Sequence, residues 1–184
     1  MTGLFGGAFD PPHNGHVALI RAARAHFPLE QVVVLVAERP GHRGVVLDAA
    51  SRLALACAAF PGEDVRLDPY GRTVDLLRAE SWNDPLFLVG ADEFANFLDW
   101  KEPQEVLKRA RLGVATRPGF PRERLEAVLA HLDGRDRVEF FAIEPLDVAS
   151  RDIRTRVANG EPIDGLVPAE VAAAIEREGF YRAG

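Results

Sequence analysis

Two histidines three residues apart, His13 and His16, stand in the run Gly6-Gly7-Ala8-Phe9-Asp10-Pro11-Pro12-His13-Asn14-Gly15-His16. The paired glycines let the backbone approach a ligand, because no Cβ stands in the way. Pro11 and Pro12 fix the loop and bias Asp10 away from helical geometry. A short apolar run, Leu4-Phe5, precedes it. An amphipathic segment follows, with Val17, Leu19, Ile20, Ala23 and Phe27 apolar and Arg21 and Arg24 between them. The pattern predicts a strand, a Gly/Pro loop and a helix. A helix that starts near the histidines turns both imidazoles the same way. Its N-terminus offers unpaired N–H groups and partial positive charge, which suit a phosphate. The implied chemistry is a polyphosphate cradle with two imidazoles in it. Gly3, Gly6 and Gly7 do not form the dinucleotide fingerprint G-x-G-x-x-G, and no Gly-Lys-Ser/Thr follows to make a P-loop.

A second phosphate site is implied near the end of the chain, in Val148-Ala149-Ser150-Arg151-Asp152-Ile153-Arg154. This segment opens a helix. Ser150 brings a hydroxyl, and Arg154 brings a guanidinium one turn later, on the same face. The same residues also read as an ordinary capped helix with Arg154 at its surface, and Arg151 reaches either a triphosphate or solvent.

The elements that must position these groups alternate. Gln31–Val36 is an unbroken apolar run, as in a strand covered on both faces. A turn-rich loop, residues 37–44, follows at its C-terminal end, where Arg43 reads as a phosphate ligand or as a solvated loop arginine. Residues 48–60 are a helix with Asp48 or Ser51 as its cap, and 65–67 a short strand. Residues 85–92 are a central strand, after which Glu93 opens a helix. Gly90 permits close approach there, and Asp92 either caps the helix or accepts from a ribose. Residues 111–119 are a strand and turn, 121–132 a helix, 138–143 the last strand and 169–178 a closing helix. Strands and helices in alternation predict an α/β chain with a mostly parallel sheet.

The 184 residues suit one domain, with 47% apolar and 27% charged residues. A net charge of -6 argues against a non-specific nucleic-acid binder. Cys57 is the single cysteine and reads as a small buried hydrophobe. No signal peptide, long apolar span or lipidation motif is visible, so the expectation is a cytoplasmic protein away from membranes.

The run G-G-x-F-D-P-P-H-x-G-H resembles the signature of the H-x-G-H nucleotidyltransferases, and within them the bacterial nicotinate-nucleotide adenylyltransferase family. The resemblance runs from Gly6 to Tyr181. It implies a single-domain, doubly wound, Rossmann-like sheet over residues 1–184, with helices on both faces and a C-terminal helical segment from about 149 to 184 carrying the second phosphate site. It implies adenylyl transfer from ATP to nicotinate mononucleotide, with His13, His16 and Arg154 as catalytic groups. Gly7, Ala8, Phe9, His16, Gly90, Asp92, Arg117, Ser150, Ile153 and Arg154 would contact ATP. Asp10, Arg43, Thr73 and Trp100 would contact the acceptor, with Trp100 at the pyridine ring and Thr73 also suited to start a helix. Arg52 falls where the family often has arginine, and Arg117-Pro118-Gly119 matches a family strand end. Mg²⁺ would arrive with ATP, with no protein metal cage. The tail from Gly160 to Tyr181 is expected to be a lid or packing element.

Three departures bear on specificity. Arg72 stands where the family usually has tyrosine, Arg151 where it has threonine, and Ala149 where it has serine. The alternatives are an adenylyltransferase for nicotinamide mononucleotide or phosphopantetheine, and a non-catalytic ATP-binding sensor. A redox dinucleotide enzyme is discouraged by the absent fingerprint. A homo-oligomer stays open.

Overall fold

The computed structural model describes residues 1–41 and 44–182. Six strands, β1 (Thr2–Gly7), β2 (Gln31–Ala37), β3 (Asp64–Asp68), β4 (Pro85–Gly90), β5 (Arg111–Thr116) and β6 (Val138–Ala142), form one sheet in the order β3-β2-β1-β4-β5-β6. Every neighbouring pair is parallel. The helices between them are α1 (Asn14–His26), α2 (Ala49–Ala59), α3 (Thr73–Ala79), α4 (Ala91–Phe94), α5 (Pro103–Arg109) and α6 (Arg122–Leu129), followed by α7 (Ser150–Ala158) and α8 (Ala169–Glu178).

The four inner strands β2, β1, β4 and β5 are apolar on both faces, and their successive side chains serve two different cores. Phe5, Val34, Val36, Leu86 and Leu88 join the core that α1, α2, α7 and α8 cover. Leu4, Val33, Leu35, Phe87 and Val89 join the core beneath α3, α5 and α6. The sheet is therefore doubly wound, and the strand order reverses between β1 and β4. In such sheets a crevice opens at that reversal, beyond the carboxyl ends of the strands. The chain leaves β1 into the His13–His16 loop and leaves β4 into Gly90–Asp92.

The helices follow the sequence pattern closely. The Asp48 carboxylate caps α2 by accepting the Ser51 N–H at 2.7 Å. Two expectations are corrected. Glu93 does not open a helix: α4 starts at Ala91, lasts one turn, and has Gly90 as its N-cap, so Asp92 lies inside the turn. Cys57 is exposed, not buried. The buried face of α2 is Arg52, Leu55, Ala56 and Ala59, the i, i+3, i+4, i+7 stripe, and Cys57 lies off it. No helix among the described residues is long and apolar enough to cross a membrane.

Candidate active site

The loop after β1 is shaped by its own side chains. Phe9 adopts the left-handed region at φ 50° and folds back under the backbone. A Cβ on Gly7 would come within 2.8 Å of the Phe9 ring, so Gly7 is needed for that packing. The Asp10–Pro11 peptide is cis. His13 is the N-cap of α1. Its ring stacks on His16 with centroids 3.7 Å apart, and Phe9 meets His16 edge-on at 5.1 Å. The His13 N–H donates to His16 Nδ1 at 3.1 Å. A ring that accepts at Nδ1 carries its proton, when neutral, on Nε2, so His16 is fixed as an Nε2–H donor. Burial pushes the His13 imidazole down to about 4, and its Nδ1 has no hydrogen-bond partner among the described residues. His13 is thus uncharged at neutral pH.

The C-terminal segment closes onto this loop. Ser150 Oγ donates to the Pro11 carbonyl at 2.8 Å, and Arg154 Nη1 donates to the Asp10 carbonyl at 2.7 Å. Asn14 is held from the same side: its side chain donates to Gly165 O at 2.7 Å and its N–H to Leu166 O at 2.9 Å. A Cβ on Gly15 would stand 3.1 Å from the His13 ring and 3.2 Å from Val148. The two segments expected to bind phosphate, 139 to 144 residues apart at these bonds, therefore meet in one place.

Asp10 is only 3% exposed, and its carboxylate works inside the protein. It accepts from Val46 N–H at 2.6 Å, Leu47 N–H at 3.4 Å and the Tyr181 hydroxyl at 2.7 Å. Burial first, then the hydrogen bond to Asp10, raises the Tyr181 phenol far above its ordinary value, so it stays a donor. Arg52, 1% exposed, donates to the carbonyls of Leu47, Ala8, Ala37 and Glu38 at 2.7–3.2 Å. It ties the loop after β1 to the end of β2 and to the loop before α2. Desolvation lowers its pKa, opposed by the charge of Asp10. Sequence reasoning noted Arg52 only as a family position and read the tail as a lid or packing element, so the carbonyl contacts of Arg52 and the bond from Tyr181 to Asp10 were missed. The available signal was an arginine on the apolar stripe of α2.

These elements surround a cleft of about 1050 Å³ at the strand reversal. Gly7, Ala8, Phe9, Asp10, His13, His16, Gly90, Asp92, Ser150 and Arg154 line it, together with Thr73 and Trp100. Phe9 is buried, so its backbone is what the cleft meets. A Cβ on Gly90 would meet nothing within 4 Å, and its φ of -77° is ordinary, so neither packing nor backbone requires glycine there. The space it leaves belongs to the cleft. Trp100 is held edge-on by Phe87 at 6.0 Å and tilted against Phe97 at 5.2 Å. Thr73 is the first residue of α3, with Arg72 as the N-cap. Two expected ATP contacts stand apart from the wall. Ile153 is fully buried as the apolar anchor of α7. Arg117 lies beside the cleft, 3.7 Å from Asp92. Arg43 lies outside the described residues. Among the described residues no group of three or more His, Cys, Asp or Glu side chains is placed to hold a metal ion.

Comparison with known proteins agrees with this geometry. Residues 4–156 match the cytidylyltransferase-like family. A Moorella thermoacetica protein named "Probable nicotinate-nucleotide adenylyltransferase" is 35% identical, covering 98% of this chain and 91% of its own. A Bordetella petrii protein of the same name is 37% identical, covering 98% of both. Among solved structures, Plasmodium falciparum nicotinic acid mononucleotide adenylyltransferase, determined with APC and with NaAD, superposes with a TM-score of 0.74 at 15% identity, over 98% of this chain and 96% of that one. At that identity the likeness is one of fold.

Proposed function

The chain belongs to the cytidylyltransferase-like family, and from that premise we propose that it transfers the adenylyl group of ATP to nicotinate mononucleotide, giving nicotinate adenine dinucleotide and pyrophosphate. The observation that carries the reading is the single cleft that has His13, His16, Ser150 and Arg154 on its walls together with Thr73 and Trp100. Its volume suits two nucleotides. The relatives' names point to the same reaction.

The acceptor phosphate is already a nucleophile, so the site needs no strong general base. Its work is to align the acceptor phosphate with the α-phosphorus and to stabilise the charge that moves onto the leaving pyrophosphate. His16 donates from Nε2–H to a phosphate oxygen, and His13 adds an uncharged imidazole beside it. Gly7, Ala8 and Phe9 bring backbone close to the nucleotide, and Gly90 leaves room for it. Arg154 and Ser150 release the carbonyls of Asp10 and Pro11 to hold the pyrophosphate. Asp92 and Arg117 complete the ATP side. Thr73 and Trp100 receive the pyridine ring, and Asp10 acts through the loops it holds. Magnesium would enter as MgATP, part of the substrate.

The test is pyrophosphate release from MgATP with nicotinate mononucleotide, nicotinamide mononucleotide and phosphopantetheine offered separately. Fast release with the nicotinate form is the expected result. ATP binding without release on any acceptor would replace this reading with that of a sensor.

A further inference from the structure

Among the described residues, one cation of the cleft has no partner to balance it. Among the described residues, four arginine or lysine side chains line it: Arg72, Lys101, Arg151 and Arg154. Three have carboxylate partners. Lys101 Nζ lies 2.8 and 2.9 Å from the two Asp75 oxygens. Arg151 Nε is 3.6 Å from Asp152, and Arg154 Nη1 is 3.9 Å from Asp10. The Arg72 side chain has no hydrogen bond or ion pair with any described residue. Asp68 also lines the cleft, but its Oδ1 accepts the Tyr70 N–H at 2.9 Å within its own turn.

Arg72 is also placed to serve the acceptor. Its Nη1 lies 4.0 Å from where a Cβ on Gly41 would be, so the guanidinium reaches from α3 toward the turn after β2. The Lys101–Asp75 bridge ties the Trp100 segment to the first turn of α3. Trp100, Thr73 and Arg72 therefore belong to one end of the cleft, and that end pairs an aromatic face with an unneutralised planar cation. An aromatic ring carrying a carboxylate matches both: the ring lies against the indole, and the carboxylate meets the guanidinium fork.

We infer that Arg72 is a specificity-determining residue that receives the ring carboxylate of the acceptor and so selects an aromatic-acid mononucleotide over its amide. The inference rests on the adenylyl-transfer reading. Arg72 is exposed and its side chain is unpartnered, so substitution leaves the fold intact, which a thermal melt verifies. The experiment measures kcat and KM for nicotinate and nicotinamide mononucleotide in the wild type, Arg72→Ala and Arg72→Lys, by pyrophosphate release. Arg72→Ala lowers the acid-to-amide ratio of kcat/KM by roughly 10- to 100-fold, the worth of a charge-assisted hydrogen-bonded pair. The loss appears in KM for the acid, with kcat largely kept. Arg72→Lys falls between, because it keeps the charge and loses the fork. An unchanged ratio in Arg72→Ala, or an equal loss with both mononucleotides, overturns the inference while leaving adenylyl transfer intact. A wild type that turns over neither mononucleotide overturns the reading it rests on.

Discussion

Replacing Tyr181 with phenylalanine removes one oxygen from the third residue beyond α8, yet the structure places the consequence in the loop after β1. The hydroxyl donates to Asp10 Oδ1 at 2.7 Å, in a bond that spans 171 residues and is buried. Tyr181 holds a left-handed backbone at φ 63°, an uncommon position for a tyrosine, so the surrounding contacts over-determine it. Without the hydroxyl, Asp10 keeps the Val46 and Leu47 amides and loses its third donor, in a site only 3% exposed. A buried polar group left short of a partner costs about 1–3 kcal/mol. For a chain of this size that is a fall in Tm of roughly 3–10 °C. Loosening Asp10 also loosens residues 46 and 47 and the carbonyl that Arg154 grips, so kcat/KM for pyrophosphate release falls roughly 10-fold through misplacement of reacting groups. The cleanest assay is a double-mutant cycle of Tyr181→Phe and Asp10→Ala, read by thermal or denaturant unfolding. The two changes should depart from additivity by about 1 kcal/mol or more. Additive effects, or a Tyr181→Phe protein that melts with the wild type, would refute the coupling of tail to loop.

Three further outcomes are expected. The His13 imidazole is depressed from 6.5 to about 4, so between those values the unfolded chain binds a proton that the folded chain does not. Its contribution to stability is therefore present above pH 6.5 and lost as pH falls toward 4, by up to roughly 3 kcal/mol at ~1.4 kcal/mol per pH unit. His13→Gln should flatten that part of the stability–pH curve, and an unaltered curve counts against burial as the cause. Gly90→Ala should melt within about 1 kcal/mol of the wild type, since its Cβ meets nothing, while KM for ATP rises at least roughly 10-fold from the space lost. Normal ATP kinetics would mean that the nucleotide does not pass over Gly90. His16→Ala should keep the fold and lose roughly 10²- to 10³-fold in kcat, in line with removal of one preorganised donor. Near-normal turnover would remove His16 from the proposed chemistry.

What could be read before the structure was what is local. The strand, loop and helix around residues 4–27 declare themselves by Gly, Pro and apolar spacing within one contiguous run, and the doubly wound sheet follows from unbroken apolar strands alternating with helices. The helix start at Ser150 was equally legible, although its N-cap, Ala149, makes no side-chain bond and the Ser150 hydroxyl is used on Pro11 instead. Cys57 was misplaced because composition marked its segment as apolar while the helical stripe, set by period 3.6, passes through 52, 55, 56 and 59. The one-turn α4 was missed because a turn that short owes its shape to packing, with Ala91 and Phe94 buried, rather than to propensity.

The less legible half of the site is the part that connects distant segments. Ser150 and Arg154 were read as phosphate ligands, but nothing in their neighbourhood says that they rest on the carbonyls of Pro11 and Asp10. Asp10 was read as a ligand for the acceptor, and what the sequence did not show is that its carboxylate also accepts from Val46, Leu47 and Tyr181. Arg52 makes the same point in the opposite direction. A guanidinium in a core costs several kcal/mol in desolvation unless its donors are used, and here they are spent on four carbonyls from three chain segments. In the loops expected to carry the phosphate chemistry, a buried cation and a buried carboxylate add to the packing of Phe9. That division explains why the residues proposed to touch substrate were visible as motifs, and why those that hold them were not. A ligand-binding loop needs its chemistry in sequence, but its position comes from whichever side chain the fold brings underneath it.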